Sequence, residues 1–383
     1  MSAVVEYHLP RRVVIGRGAA AGLPALCRAA GWRRVFLVSD DGVAAGGLVA
    51  CVAEPLATAG MLAGTSTAVP AEPPLAAVDA LAATIVAAGA DAVIGLGGGS
   101  VMDAVKVAAL VAAHGGTAAD RVGIGRVGRR GLPTVLVPTT AGTGSEATRV
   151  AILTDPGTGD KVGVVDPALL PDIAVVDAAL TDRLPPAVTA AAGMDALVHA
   201  IEAHGARVAT PFSRGLALEA SRAIGGALER VCRDPTDAAA RDSLAEGAHL
   251  AGMAFSNSSC CAVHALALPL GGRFHLPHGV ITGTFVGAVV RYNGPVAAAG
   301  YRRMAEAIGW GPLEPAEFAA RLDALAGSIG LTTVLRSVAV PAAAIPALAA
   351  AAAANRRLMD PNPRPMPADA AAAIYREVLA VRS

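Results

Sequence analysis

Ala92-Val-Ile-Gly95-Leu-Gly97-Gly98-Gly99-Ser100-Val-Met-Asp103 is the stretch on which the fold turns. A short β-branched run passes through consecutive glycines into an alanine-rich helical segment, Val101 to His114. Glycines let backbone amides approach a phosphate closely, and a helix amino terminus favours its negative charge. The last position of the dinucleotide fingerprint is Ser100 rather than glycine, and the loop is not the first strand–helix turn. A glycine-rich turn with no ligand is therefore the competing reading. Outward from this stretch the same alternation recurs. Val35-Phe-Leu-Val38, Thr134-Val-Leu-Val137 and Ile173-Ala-Val-Val176 read as buried strands, and Pro74 to Gly89 as a helix. Strands alternating with helices predict a parallel sheet covered on both faces, a Rossmann-like α/β half.

After Leu184-Pro185-Pro186 the pattern changes. Apolar residues recur at helical spacing, as in Ala217-Leu218, Ala220-Ser221 and Ile224, and β-branched runs largely vanish. The proline pair marks the expected boundary. We expect an α/β dinucleotide-binding domain over 1–184 and an all-helical metal-binding and substrate domain over 185–383.

Composition excludes several classes. Lys plus Arg and Asp plus Glu both number 31, so no charge excess argues for nucleic acid or an anionic membrane. No run of roughly twenty strongly apolar residues suggests a membrane span. Pro341 to Asn355 comes nearest, but it is alanine-rich and interrupted by Pro346, as a soluble helix would be. Met-Ser-Ala-Val-Val-Glu lacks the basic and apolar regions of a secretory leader. Cys27, Cys51, Cys232, Cys260 and Cys261 form no framework and fit reduced thiols in a cytoplasm. Cys260 and Cys261 stand close to His264, which invites a metal or redox role. Outside any ligand pattern, they read as small buried hydrophobes.

Three further segments carry chemistry. Pro138-Thr139-Thr140-Ala-Gly-Thr143-Gly-Ser145-Glu146 follows a strand with a crowd of hydroxyls, where an open parallel sheet binds its ligands. Asp40 ends the first buried strand. A carboxylate there accepts from a ribose hydroxyl and repels a 2′-phosphate, favouring NAD over NADP; a solvated loop aspartate is the alternative. Asp195 and His199, four apart on a helix, share a face. His264 lies on a segment that reads as helix until Pro269 and Gly271-Gly272 end it, and His278 stands at the mouth of the next apolar helix. One histidine alone would be a satisfied core residue. Three with an aspartate, in a helical half beside a nucleotide half, form a site for a divalent ion such as Fe(II) or Zn(II).

These segments, with Asn362-Pro363-Arg364, resemble the iron-containing alcohol dehydrogenase family, in order and over nearly the whole chain. The resemblance implies that Asp195, His199, His264 and His278 bind the metal, usually iron and sometimes zinc. It implies cofactor contacts by Asp40, Gly98, Gly99, Ser100, Thr139, Thr140, Thr143 and Lys161, and Gly97, Asp103 and Ser145 in the same matched segments count with them. It also implies a homodimer or larger assembly. There are departures. Many members carry a histidine for proton transfer where this chain has Leu268, so His275 or solvent becomes the candidate route. His204 stands where a tyrosine is frequent, either facing the substrate or exposed at a helix end.

The activity expected is hydride transfer between NAD(H) and a small aldehyde or ketone and its alcohol. The ion would act as a Lewis acid, and the cleft between the domains would fix distance and exclude water. Arg149, just after a cofactor loop, is the candidate for gripping an acidic substrate, such as a dicarboxylic semialdehyde or phosphonoacetaldehyde. Pairing with a neighbouring acid such as Asp155 is its alternative. Dehydroquinate synthase, glycerol dehydrogenase and maleylacetate reductase share the architecture and stand as other readings. A nucleotide-binding sensor without catalysis is the reading from a different class.

Overall fold

The computed structural model describes residues 4–157 and 159–379. The first three residues of the amino-terminal stretch read against a leader lie outside them. The chain forms two compact units, Met1–Thr140 with Gly144–Arg183, and Ala141–Thr143 with Leu184–Ser383.

In the first unit the strands are β1 (Arg12–Ile15), β2 (Val35–Val38), β3 (Leu62–Ser66), β4 (Ala92–Gly97), β5 (Gly123–Ile124), β6 (Thr134–Pro138), β7 (Val150–Thr154), β8 (Lys161–Val165) and β9 (Ile173–Val176). Its helices are α1 (Leu23–Ala29), α2 (Asp41–Ala45), α3 (Leu48–Thr58), α4 (Leu75–Ala87) and α5 (Gly99–His114). Six strands make one parallel sheet in the order β1-β9-β6-β4-β2-β3, and β5, β8 and β7 form a small mixed sheet beside it. The period of two divides the side chains cleanly. Val35, Leu37, Ile94, Leu96, Val135 and Val137 build one core with α1 and α3, while Phe36, Val38, Val93 and Leu136 build the other with α4 and α5.

From β2 the chain moves outward to β3 and then returns to lay β4 on the other side of β2. The strand order therefore reverses between β2 and β4, and a crevice at such a switch point is where doubly wound sheets take ligands. Asp40 follows β2 and the glycine turn follows β4, with Val38 paired to Gly95. Gly97 pairs in turn with Pro138 at the end of β6, so Thr139 belongs to the same row.

The second unit is helical throughout its described residues: α6 (Pro186–Gly205), α7 (Pro211–Arg233), α8 (Ala238–Ser256), α9 (Ala262–Phe274), α10 (His278–Ile308), α11 (Pro315–Ser328), α12 (Leu331–Arg336), α13 (Ile345–Ala354), α14 (Arg356–Met359) and α15 (Ala368–Leu379). The alanine-rich run is α13, with Pro346 in its first turn, where the missing N–H costs nothing. Among the described residues, no helix is long and apolar enough to cross a membrane.

Helix α6 is the axis, flanked by α7, α8 and α10. Glycines set the approach of α10: a Cβ on Gly279 would lie 2.1 Å from the Ala191 carbonyl oxygen, and one on Gly283 would lie 2.6 Å from the Met194 side chain. Only bare backbone allows α10 to start against α6.

One expectation is corrected. Helix α9 does not end at Pro269 and the glycine pair but runs on to Phe274, where His275 closes it at φ 53°. Proline removes one ladder bond and crowds the carbonyls of the preceding turn. There the buried Tyr375 hydroxyl donates to the Leu266 carbonyl at 2.5 Å. Tertiary packing thus supplies a partner in the turn that the proline disturbs, and the helix survives it.

Candidate metal centre and nucleotide loops

Asp195 and His199 lie one turn apart on α6, His264 stands in the first turn of α9, and His278 opens α10. Asp195 Oδ1 is 3.7 Å from both His264 Nε2 and His278 Nε2, and Oδ2 is 3.9 Å from His199 Nδ1. The His199 and His264 rings stack at 4.6 Å, and Phe255 covers the other face of His199 at 4.4 Å. Asp195, His199 and His264 are buried, whereas the His278 side chain is 42% exposed.

Hydrogen bonding fixes which atoms face inward. The Thr282 hydroxyl donates to Asp195 Oδ1 at 2.8 Å. Glu202, a further turn along α6, accepts from the Cys261 and Val263 amides at 2.8 and 2.7 Å and holds His264 Nδ1 at 2.5 Å. With Nδ1 bonded to a carboxylate, His264 turns its Nε2 toward Asp195. His264 Nε2 and His199 Nδ1 are both buried without a hydrogen-bond partner. Ring nitrogens facing a carboxylate across 3.7–3.9 Å are too far for a hydrogen bond, and a divalent cation among them would engage both. Ligands around a tetrahedral ion at about 2.1 Å stand roughly 3.4 Å apart, close to these separations. The donor set fits a divalent ion.

Electrostatics point the same way. Burial works against the Asp195 charge, but His199, His278 and His264 outweigh it and hold the carboxyl down at about 2. Burial pushes His199 down to about 3, so at neutral pH it is an uncharged ligand. Burial also opposes charge on His264, yet Cys260 and Glu202 overcome it and hold this imidazole well above its ordinary range. A metal must displace that proton, so affinity is expected to rise with pH until His264 is neutral. Glu202→Gln should weaken metal binding about 10- to 100-fold on the high-pH plateau and move the start of that plateau to lower pH. Metal titrations across pH test this; an unchanged profile would remove Glu202 from the site.

Sequence reasoning alone does not pick out Glu202, Thr282 or Asn362 for a role. Glu202 is within its reach, since it lies i+7 from Asp195 and i+3 from His199 and so shares their face. Asn362 pairs with Asn293 at 2.9 and 3.1 Å, and its oxygen accepts from Ala262 N at 3.4 Å, at the start of the helix that carries His264.

His204 lies apart from this cluster, and His275 belongs to no group of candidate ligands among the described residues. His275 is exposed at the left-handed end of α9. His204 stands about two and a half turns beyond Asp195, on the opposite face of α6. It is neither exposed nor beside the metal residues: it is 3% exposed and packs 3.4 Å from where a Cβ on Gly300 would sit. Burial, with Arg303 and Arg214 nearby, pushes it down to about 4. Leu268 is half-buried on α9.

In the first unit the glycine turn forms the start of α5. Gly98 is its N-cap, with no side chain capping the helix, so its first amides remain for an anion. A Cβ on Gly97 would lie 2.6 Å from Val101, so the turn admits no side chain. The Ser100 hydroxyl accepts from the Glu72 amide at 3.3 Å. Thr139 N donates to the Gly97 carbonyl at 3.0 Å, tying the two loops together, and Thr140 lies beside Gly98. Thr143 belongs to the short segment that groups with the second unit. Asp40 caps α2 by accepting from Val43 N at 2.9 Å, and Lys161 reaches Glu72 and Thr154, each at 3.0 Å.

Asp103 and Ser145 are engaged with each other. The Ser145 hydroxyl donates to Asp103 Oδ1 at 2.5 Å, and Asp103 Oδ2 accepts from Ile152 N at 2.8 Å. Lys106, which no sequence motif singles out, completes the network: its buried ammonium donates to Ser145, Thr148 and the Val150 carbonyl at 2.8, 3.0 and 2.7 Å. Burial pushes this lysine down to about 8 against the pull of Asp103 and Glu146. These residues pin the hydroxyl-rich loop to α5. Arg149 directly precedes β7, its carbonyl accepting from Asp166 N at 3.0 Å. Asp155 lies beyond the other end of β7, about 20 Å away by strand rise, so of the neighbouring acids Asp155 is out of reach of Arg149.

Comparison with known proteins follows the same division. Residues 10–178 match the model for "Iron-containing alcohol dehydrogenase", and residues 189–379 match that for the family's C-terminal domain. The chain is 36% identical to long-chain-alcohol dehydrogenase 1 of Geobacillus thermodenitrificans, over 98% of this chain and 97% of that one. Among solved structures, a 1,3-propanediol oxidoreductase superposes with a TM-score of 0.93 at 32% identity, covering 98% of this chain and all of the other. Sulfoacetaldehyde reductase from Bifidobacterium kashiwanohense, solved with NAD+, gives 0.89 at 27% identity over the whole of both chains. Matched in both halves, the chain belongs to the iron-containing alcohol dehydrogenase family.

Proposed function

We propose that this protein is an NAD(H)-linked, metal-dependent alcohol dehydrogenase working as a reductase of a short anionic aldehyde. The observation that carries the reading is the convergence of Asp195 with three imidazoles, two of them presenting buried, unpartnered nitrogens. Asp195, His199, His264 and His278 would hold the ion, and Glu202 would fix the His264 tautomer. When bound, the divalent ion supplies Lewis acidity at the substrate oxygen, and nicotinamide supplies the hydride.

Gly97, Gly98, Gly99 and Ser100, with the uncapped amides of α5, would take the pyrophosphate. Thr139, Thr140, Thr143, Ser145 and Asp103 would shape the adjoining loop. Lys161 and Asp40 complete the proposed cofactor contacts, Asp40 favouring NAD by repelling a 2′-phosphate. With Leu268 in place of a titratable side chain, His275 at the end of α9 is the chain's candidate for passing the alcohol proton to solvent. The five free thiols accord with a reducing, cytoplasmic setting, and we expect a homodimer or larger assembly.

The choice of an anionic substrate rests on Arg149, set between the hydroxyl-rich loop and β7. A relative that acts on sulfoacetaldehyde supports it. A guanidinium grips a carboxylate, phosphonate or sulfonate through paired hydrogen bonds. Arg149→Ala should lower kcat/KM on charged aldehydes by about 10- to 100-fold, corresponding to roughly 1.5–3 kcal/mol, with little change on neutral aldehydes of the same length. Equal losses on both would count against anion recognition. The first assay is an aldehyde and ketone panel with NADH and NADPH, on protein loaded with Fe(II) or Zn(II).

A further inference from the structure

Cys260 precedes α9 and is buried. His199, Cys260 and His264 each offer a ligand atom within 4.8 Å of the other two, as do Asp195, His264 and His278. The two triads share His264, and His199 also faces Asp195, so the sulfur donor adjoins the same centre. The first is nitrogen and sulfur, the second nitrogen and oxygen. Nitrogen and sulfur donors suit thiophilic ions, whereas a carboxylate suits harder ones.

We propose that Cys260 is a metal ligand of this chain, forming with His199 and His264 a second triad that takes thiophilic divalent ions. The inference rests on the reading of the Asp195 cluster as a metal centre. It adds a sulfur donor that the sequence pattern does not contain. Two observations beyond the cysteine itself support it. The His199 and His264 rings stack at 4.6 Å, each carries a buried nitrogen without a hydrogen-bond partner, and each offers a ring nitrogen within 4.8 Å of the Cys260 sulfur. Cys261, by contrast, is turned to Glu202, with its Sγ 3.9 Å from the Glu202 carbonyl, and belongs to no triad among the described residues. In the binding step the Cys260 S–H bond breaks, its proton passes to buffer, and a sulfur–metal bond forms without oxidation or reduction.

The test uses the full chain carrying Cys51→Ser, which removes the exposed thiol, stripped of metal and titrated with Co(II). Bound cobalt is counted by dialysis, and its spectrum is read in the near ultraviolet. Expected are a thiolate-to-cobalt charge-transfer band, its loss in Cys260→Ser with cobalt still bound, and its persistence in Cys261→Ser. Cys260→Ser should also weaken Cd(II) about tenfold or more while leaving Mn(II) little changed. Cys260→Ala, tested alongside, guards against a defect peculiar to serine. Cobalt bound without a sulfur band would overturn the Cys260 assignment and leave the Asp195 centre standing. No cobalt bound at all would overturn both.

Discussion

Asp195→Asn is expected to abolish metal retention and to lower kcat/KM by on the order of a thousandfold or more. Asparagine keeps the shape and can still accept from Thr282, so the helices around it should hold. What disappears is the one negative charge that all three imidazoles face, at 3.7 Å for His264 and His278 and 3.9 Å for His199. Neutral ligands bind a divalent ion far less tightly once that charge is gone. Metal content after dialysis, circular dichroism and NADH oxidation with an aldehyde panel would be read together. His199→Ala should behave alike. Full metal content and near-normal turnover in either variant would remove the residue from the proposed centre.

Gly279→Val should be highly damaging although Gly279 itself offers no ligand atom. Even its Cβ would stand 2.1 Å from the Ala191 carbonyl oxygen, a backbone atom that cannot rotate away. The first turn of α10 must then lift off α6, and His278, the neighbouring residue, moves with it. The expected cost is about 3 kcal/mol or more of stability, with weakened metal binding on top. Thermal unfolding and metal titration would check both. Gly226, exposed on α7, supplies the control, because a Cβ there would meet nothing within 4 Å. Gly226→Ala should be neutral or slightly stabilising. An unchanged melting temperature in Gly279→Val would refute this account of the packing.

The sequence was most legible where one physical constraint dominates. Strands β2, β4, β6 and β9 are buried on every residue, so their β-branched runs stand out. Strands β1 and β3 lie at the sheet edges and carry partly exposed residues, including Ala63 and Gly64, which blur the signal. Local rules end α9 too early because Tyr375, which serves that turn, comes from α15. The same limit applies at the site. Spacing points to Asp195 and His199, and motif order to His264 and His278. Glu202 gains its meaning only from an imidazole on another helix, and Cys260 only from the stacking of two rings. His204 shows the converse. Its position in the motif draws attention, but helical phase sends it to the far face of α6.

The contact at Gly279 carries one more consequence. Where α10 begins is decided by chain against chain, before any ion arrives. Asn362 likewise secures the start of α9 through protein atoms alone. A socket shaped this way behaves as a standing receptacle rather than a fold awaiting its staple. Stripping the ion should then remove activity while leaving helical content intact, which circular dichroism and an NADH assay on metal-free protein would read together.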